Sequence, residues 1–269
     1  MVIDFHTHIF PDKIAKRTIE ALSMGASIPA HSTGDFDGLV RSMTENGIDI
    51  SVNLPVLTRA SQLESVTAFA KEINEKSYTG ARIISFAGIH PDIEDYEKAL
   101  YDIKEKGFLG IKLHPDYQGT YIDDEKYIRI LKCAKELDLI TLTHSGFDGA
   151  YVGQPIKCTP KRVARVLDRL GGYEGLVLAH MGANELFHEF TDTLAGENVY
   201  IDTSYVLPFI GKDMFCRMVE KHGANKILFA SDSPWQDQGE MVRILKSYIS
   251  DKELEDMMLY KNAKKLLKI

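Results

Sequence analysis

The chain has 269 residues, of which 44% are hydrophobic and 26% are charged, and its net charge at pH 7 is −7. These proportions are typical of a globular protein with an apolar core. The acidic balance, without any run of lysines or arginines, argues against nucleic acid or an anionic membrane surface as a partner.

The cysteines and the N-terminus predict the compartment. Cys133, Cys158 and Cys216 fit neither a disulfide framework nor a paired-cysteine metal motif. Cys133 and Cys216 fall in helix-like segments, so we expect both thiols to be packed, in a reducing compartment. The N-terminus lacks the basic and apolar regions of a signal peptide. No apolar run approaches the ~18 residues that span a bilayer. We therefore expect a cytoplasmic protein without a membrane partner.

Short apolar runs alternate with amphipathic segments along the whole chain. Most of the runs are nearly continuous in Ile, Val and Leu, which is typical of strands buried on both faces. We predict eight strands, at 2–5, 48–54, 83–89, 109–113, 139–143, 176–179, 199–202 and 227–230.

Helical spacing of apolar residues marks the segments between these strands. We predict helices at 36–46, 61–77, 94–106, 123–138, 159–172, 184–195, 208–222 and 238–249. The long segment 10–35 predicts a short helix plus a lid, and the tail 251–269 predicts one or two terminal helices outside the barrel. Eight strands alternating with helices predict an α/β fold, the (β/α)8 TIM barrel, as one domain over residues 1–269.

Six of the nine histidines stand at or just past the end of a predicted strand, where the active sites of such barrels form. They are His6, His8, His90, His114, His144 and His180. Any one of them alone is equally well read as a hydrogen-bonded polar residue beside a loop. The others look ordinary: His31 in the long loop, His188 on a helix surface, and His222 near a helix C-terminus, where the dipole favours a cation.

The first two histidines suggest a metal site. Residues two apart on a strand share a face, so His6 and His8 would aim their rings at one point. Asp232, in SDSP after the eighth run, could by itself be a helix cap. Together, His6, His8, His144 and Asp232 give three imidazoles and one carboxylate, a set suited to Zn²⁺, with Mn²⁺ or Fe²⁺ as alternatives.

The motifs that hold these residues resemble the amidohydrolase superfamily of metal-dependent barrels over essentially the whole chain. They are HTH at 6–8, THSG at 143–146, AHMG at 179–182 and SDSPW at 231–235. GIHPD at 88–92 and GIKLHPD at 110–116 are similar to the branch that contains uncharacterised hydrolases and the aromatic-acid decarboxylases related to aminocarboxymuconate-semialdehyde decarboxylase.

The resemblance implies a role for each matching residue. His6, His8, His144 and Asp232 would bind one divalent metal, His180 would act as acid/base or polarise the substrate, and Asp232 would also move protons. Lys112 stands where some relatives carry a carboxylated lysine that bridges two metals, in which case His144 and His180 would hold the second ion. We favour one ion, most simply Zn²⁺, with Lys112 as a cation for an anionic substrate. The alternative is a buried lysine paired with Asp116 or another carboxylate.

The implied activity is hydrolysis of an amide, lactone or similar carbonyl of a small molecule by metal-activated water. We favour it because decarboxylating relatives tend to be longer. The alternatives are decarboxylation of an aromatic or unsaturated carboxylic acid and a non-catalytic metal-binding barrel. Barrels of this kind often form homodimers. Candidate substrate-binding residues are Lys112, His114, His90, Tyr117, Tyr205 and Trp235. Tyr205 and Trp235 could equally pack at the rim, and Thr203 and Ser204 could bind substrate or cap a helix.

Overall fold

The computed structural model of the protein describes residues 1–76 and 80–269, and these residues form a barrel of parallel strands. The described strands are β1 (Ile3–Thr7), β2 (Ile50–Asn53), β3 (Arg82–Ser85), β4 (Ala87–Gly88), β5 (Gly110–Leu113), β6 (Ile140–Thr143), β7 (Leu176–Leu178), β8 (Tyr200–Asp202) and β9 (Ile227–Leu228). Only Phe86 separates β3 from β4, so the two are pieces of one barrel strand. The eight predicted strands are thereby confirmed.

The strands follow chain order around the barrel, in two parallel ladders, β1 to β3 and β4 to β9. The first and last strands close the ring, because the N–H of Phe5 donates to the carbonyl of Phe229 at 2.9 Å and Thr7 pairs with Ser233. All eight strands therefore end at one mouth, as a (β/α)8 barrel requires.

Helices lie on the outside of this ring. They are α1 (Asp12–Ala26), α2 (Phe36–Asn46), α3 (Leu63–Glu75), α4 (Tyr96–Glu105), α5 (Glu125–Glu136), α6 (Pro160–Leu170), α7 (Phe187–Thr193), α8 (Leu207–Ile210), α9 (Lys212–His222), α10 (Gln238–Tyr248), α11 (Lys252–Asp256) and α12 (Asn262–Leu267). Local signals set several of the ends. The Thr159 side chain accepts the N–H of Arg162, Pro160 is the first residue of α6, and Gly171 ends that helix in a left-handed conformation.

Two helix predictions need correction. The segment 10–35 holds a helix of 15 residues, α1, rather than a short one. The predicted helix 208–222 is divided at Gly211, whose φ of +71° interrupts the right-handed helix between α8 and α9. The predicted helix 61–77 runs in α3 to Glu75, and residue 77 lies outside the described residues.

The core has two parts. One cluster includes Phe5, Phe86 and Tyr200 and no residue of helices α1 to α11, so it fills the inside of the barrel. Ala263 and Leu267 of α12 join this cluster, and the tail thereby covers the end of the barrel opposite the mouth. The other cluster packs the outer helices onto the sheet. Both are continuous apolar contacts of the kind that stabilise a domain.

Helix α9 corrects two further expectations. It buries Phe215 and Met218, so the neighbouring Cys216 points away from the core and is exposed, whereas Cys133 is buried as expected. His222, at the end of α9, is not a cation. Its Nδ1 accepts the N–H of Gly196 at 3.2 Å and its Nε2 donates to the carbonyl of Val199 at 3.1 Å. Burial lowers the pKa of His222 to about 4.

Within residues 1–76 and 80–269, none of the helices combines the length and the apolar character needed to cross a membrane.

Candidate metal centre

Two histidine rings at the end of β1 meet a carboxylate that follows β9. The Nε2 atoms of His6 and His8 are 3.1 Å apart. Oδ1 of Asp232 lies 3.4 Å from Nε2 of His6 and 3.2 Å from Nε2 of His8. Barrel closure brings these residues together across more than two hundred positions, and the N–H of Asp232 donates to the carbonyl of His6 at 2.8 Å.

Hydrogen bonds on the far side of each ring fix where its proton lies. Nδ1 of His6 is 2.9 Å from Oδ2 of Asp202, and Nδ1 of His8 is 2.9 Å from the carbonyl oxygen of Leu54. Both oxygens can only accept, so each ring carries its proton on Nδ1. Each Nε2 then presents a lone pair, and the two lone pairs face each other beside the Asp232 carboxylate.

A divalent metal ion fits this arrangement. Two imidazole nitrogens and a carboxylate oxygen are ligands that Zn²⁺ and Mn²⁺ accept. Ligand atoms about 2.0–2.2 Å from one ion stand roughly 3–3.5 Å from each other, which agrees with the spacing of His6, His8 and Asp232. The carboxylate on Nδ1 of His6 is the outer partner that metal-binding histidines usually have.

The charges of these groups suit metal binding. Burial lowers the pKa of His6 well below its usual value, and the nearby Lys112 ammonium lowers it further. For Asp232, burial raises the pKa, but the neighbouring His6, His8 and His180 together outweigh it and the net shift is downward. A neutral imidazole and an ionised carboxylate are the forms that bind a metal.

Asp232 and His180 both have left-handed backbone, with φ of +72° and +62°. This conformation costs a non-glycine residue of order 1–3 kcal/mol and is concentrated at functional sites. It places both side chains at the mouth of the barrel, one after β9 and the other after β7.

His144 lies beside the three residues that meet at the end of β1 but is not one of them. It belongs not to the group formed by His6, His8 and Asp232 but to a second set of possible metal ligands, with His114 and Asp148. Nδ1 of His144 is instead 3.0 Å from Nε2 of His180, and the His180 ring is stacked on His6 with centroids 5.5 Å apart. Nδ1 of His180 in turn faces the carbonyl oxygen of Ser204 at 3.1 Å. His144 and His180 thus border the centre as a second pair of imidazoles.

Lys112 is buried in the middle of these rings. Its Nζ lies 3.0 Å from Nε2 of His6, and its side chain is only 1% exposed. The expected alternative of a pair with Asp116 is not observed, and no carboxylate of the described residues lies within 4.0 Å of Nζ. Burial lowers the pKa of Lys112 to about 8.

Tyr117, His114 and His144 form a stack of three rings, with His114 in the middle. The rings of His114 and Tyr117 are stacked with centroids 4.0 Å apart, and those of His114 and His144 are stacked at 4.3 Å. Nε2 of His114 lies 3.4 Å from Oδ2 of Asp148. These residues surround the space beside the centre, where the sequence predicted substrate binding.

The other predicted substrate-binding residues lie farther out. The Tyr205 ring is 6.4 Å from that of His180 and packs against Phe209. Trp235 is partly buried, and its backbone N–H donates to the carbonyl of Asp232. His90 is buried but contacts Asp92 rather than another imidazole, with its Nδ1 accepting the N–H of Asp92 at 3.2 Å.

Sequence reasoning missed Asp202, the last residue of β8. Its Oδ2 contacts His6, and its Oδ1 accepts the N–H groups of His180 and Ser204 at 3.0 Å each. One buried carboxylate therefore orients residues from two strands. Ser204 contacts the His180 ring, whereas Thr203 bonds to the Ala230 backbone and is structural. The sequence feature that could have identified Asp202 is a carboxylate at the end of a predicted strand for which the sequence suggests no partner.

Comparison with known proteins places the chain in a family. The family profile described as Amidohydrolase matches residues 3–269. No curated protein matches the chain.

Several solved structures share the fold over nearly its full length. A dihydroxybenzoic acid decarboxylase from Polaromonas sp. JS666, with bound manganese and the inhibitor 2-nitroresorcinol, is 19% identical with a TM-score of 0.72, covering 99% of this chain and 96% of that one. A 5-carboxyvanillate decarboxylase from Sphingomonas paucimobilis is 17% identical with a TM-score of 0.69, covering 100% and 99%. A structure described as a probable 2-pyrone-4,6-dicarboxylic acid hydrolase from Acinetobacter baumannii is 16% identical with a TM-score of 0.65, also covering 100% and 99%.

Proposed function

The chain belongs to the amidohydrolase family of enzymes, and on that premise we propose that it is a metal-dependent decarboxylase of a small aromatic or unsaturated carboxylic acid. The observation that carries the proposal is the convergence of His6, His8 and Asp232 beside Lys112, a buried amine that no carboxylate of the described residues pairs with. A bound cation and an ammonium group together favour a substrate that carries negative charge.

The comparisons support decarboxylation over hydrolysis, which the sequence favoured. The similar structures described above include decarboxylases of dihydroxybenzoic acid and 5-carboxyvanillate. The argument from chain length also loses its force, since the alignment covers 99% of the 5-carboxyvanillate decarboxylase chain. The stacked rings of Tyr117 and His114 border the site with aromatic edges, which suit contact with an aromatic substrate.

A divalent ion held by His6, His8 and Asp232 would supply positive charge against the oxygen atoms of the substrate. Decarboxylation delivers a proton to the carbon that bears the carboxylate, and the electrons of the broken C–C bond return to that carbon as CO₂ leaves. Asp232, which is ionised in the resting site, would take up this proton from the solvent and pass it to the carbon, because it is the carboxylate at the centre of the site. His180 holds a lone pair at Nε2 and would accept a hydroxyl proton from the substrate.

Lys112 would hold the carboxylate of the substrate before CO₂ leaves. We propose a single ion with His144 as a further ligand. Lys112 is then a free amine and is not carboxylated. Zn²⁺ suits the imidazole and carboxylate set, and Mn²⁺ is the alternative because the Polaromonas structure holds manganese. Two ions would require a carboxylated Lys112.

Hydrolysis is the second candidate. The same residues could direct a metal-activated water to a carbonyl group. The similarity to the structure described as a pyrone-dicarboxylic acid hydrolase supports it, although with the lower TM-score of 0.65.

The deciding experiment follows the fate of the carboxyl carbon. Hydroxybenzoic acids labelled with ¹³C in the carboxyl group are incubated in D₂O with the metal-loaded enzyme and with its Asp232→Asn variant. We expect ¹³CO₂ and one deuterium at the vacated carbon from the wild type, and neither from the variant. If the enzyme releases no ¹³CO₂ from the labelled acids but hydrolyses lactones or amides, decarboxylation is wrong and hydrolysis is the function.

A further inference from the structure

Two buried polar atoms beside the centre have no hydrogen-bond partner among residues 1–76 and 80–269, and they face each other. They are Nε2 of His144 and Oδ2 of Asp116, which are 4.0 Å apart. Both residues are more than nine-tenths buried. A buried polar atom without a partner costs about 1–3 kcal/mol, so the pair calls for an explanation.

The surrounding contacts limit where the His144 proton can lie. Nδ1 of His180 faces a carbonyl oxygen at Ser204, so His180 carries its proton there and has a lone pair on Nε2. If His144 donates from Nδ1 to that lone pair, its own Nε2 lone pair faces the Asp116 carboxylate, and both atoms stay without a donor.

The other arrangement leaves neither atom unsatisfied. With its proton on Nε2, His144 can donate to Asp116 after a movement of about 1 Å, since a hydrogen bond needs about 2.9 Å. Nδ1 of His144 then presents a lone pair 3.0 Å from that of His180. A cation bound at Nδ1 of His144 removes the conflict between the two lone pairs and leaves Nε2 of His180 free to act as a base.

We propose that Asp116 is a positioning residue that holds the proton of His144 on Nε2, so that Nδ1 is the atom available to the metal. The carboxylate is oriented for this, because its Oδ1 accepts the N–H of Lys157 at 3.3 Å and its Oδ2 is left for His144. The stack of His144 on His114 fixes the plane of the ring. The inference rests on the metal site of the proposed function, but not on which reaction that site catalyses.

Asp116→Asn tests this with little change of shape. The Lys157 N–H keeps the amide oxygen at the Oδ1 position, so the amide NH₂ faces Nε2 of His144 and forces the proton to Nδ1. Asp148→Asn is the matched control, since Asp148 contacts His114 rather than His144. Each protein is loaded with Zn²⁺ or Mn²⁺ and dialysed against a graded chelator, and retained metal is measured by mass spectrometry.

We expect Asp116→Asn to weaken metal binding by about 10–100-fold with little change in Tm, and Asp148→Asn to bind metal as the wild type does. In the Zn²⁺-loaded wild type, ¹⁵N NMR of labelled histidine should show His144 protonated on Nε2, a signal that a merely structural role of Asp116 would not affect. Wild-type affinity in Asp116→Asn would overturn the proposal. Equal losses in both variants would also overturn it, and would indicate a cation bound among His114, His144 and Asp148.

Discussion

Nδ1 of His6 lies 2.9 Å from Oδ2 of Asp202, and both side chains are buried. This bond crosses the barrel from β1 to β8 and determines which nitrogen of His6 faces Asp232. Partners of this kind orient metal-binding histidines and strengthen their binding. The metal centre therefore depends on Asp202, although Asp202 is not one of the three residues, His6, His8 and Asp232, that would bind the ion.

Replacing Asp202 by Asn should weaken metal binding. Oδ1 of Asp202 accepts N–H groups, so the amide oxygen would take that position and the NH₂ group would face Nδ1 of His6. The His6 proton would move to Nε2, and we expect affinity for the metal to fall by about 10–100-fold. Equilibrium dialysis with metal analysis measures it.

Asp4→Asn is the matched control for this change. Asp4 is a buried carboxylate that accepts hydrogen bonds from Ser231, from Gln238 and from the backbone N–H of His6, but not from an imidazole ring. We expect that variant to lower Tm and to keep its metal. Asp202→Asn protein with wild-type affinity would show that Asp202 does not orient His6 for the metal.

Replacing Lys112 by Met tests its role as the cation for the substrate. Methionine keeps the length of the side chain and removes the charge. Because a hydrogen bond to a charged group contributes about 1.5–3 kcal/mol, KM for a carboxylate substrate should rise about 10–100-fold. Steady-state kinetics measures it, and native mass spectrometry of the wild type should show an unmodified lysine. An unchanged KM, or a carboxylated Lys112, would contradict this role.

His222 should make stability depend on pH. Its pKa is about 4 in the folded chain and about 6.5 when unfolded, so between these values the unfolded state binds more protons. The contribution of neutral His222 to the free energy of unfolding is complete above pH 6.5. It is lost as pH falls towards 4, by about 3 kcal/mol at most. Urea unfolding of wild type and His222→Gln at pH 7 and pH 4.5 measures it. The difference between the two proteins should shrink at the lower pH, and a constant difference would refute the assignment.

Cys216 should be the reactive thiol. It is exposed on α9, while Cys133 and Cys158 are buried, and burial raises the pKa of Cys158 to about 12. A thiol reagent should therefore label one cysteine rapidly in the native protein, and Cys216→Ser should abolish that labelling. Rapid labelling of the Cys216→Ser variant would show that Cys133 or Cys158 is accessible to the reagent, which would contradict their buried positions.

Periodicity identified the eight barrel strands and their helices because the apolar faces of buried strands and amphipathic helices are local features of the sequence. The helix 36–46 was predicted with the bounds of α2. Cys216 was misjudged because a helical segment buries only one face, and the sequence around it did not settle which face that was.

The site was predictable where histidines end strands, and less so where its atoms depend on long-range contacts. His6, His8, His144 and Asp232 were grouped from sequence, and the structure brings three of them together but places His144 in a different group. The partner of His8 could not be predicted, since it is the backbone oxygen of Leu54 and carries no side-chain signal. The sequence does not distinguish Asp202 from other carboxylates at strand ends, because its contact with His6 is visible only in the structure.

Metal content is the most direct test of the central claim that His6, His8 and Asp232 hold a divalent ion. Wild type, His6→Ala and Asp232→Ala are purified without chelator, analysed by mass spectrometry for Zn, Mn and Fe, and checked by circular dichroism for an intact fold. We predict at least one ion per chain in the wild type and loss of that ion in both variants. Full occupancy in both folded variants would contradict the assignment.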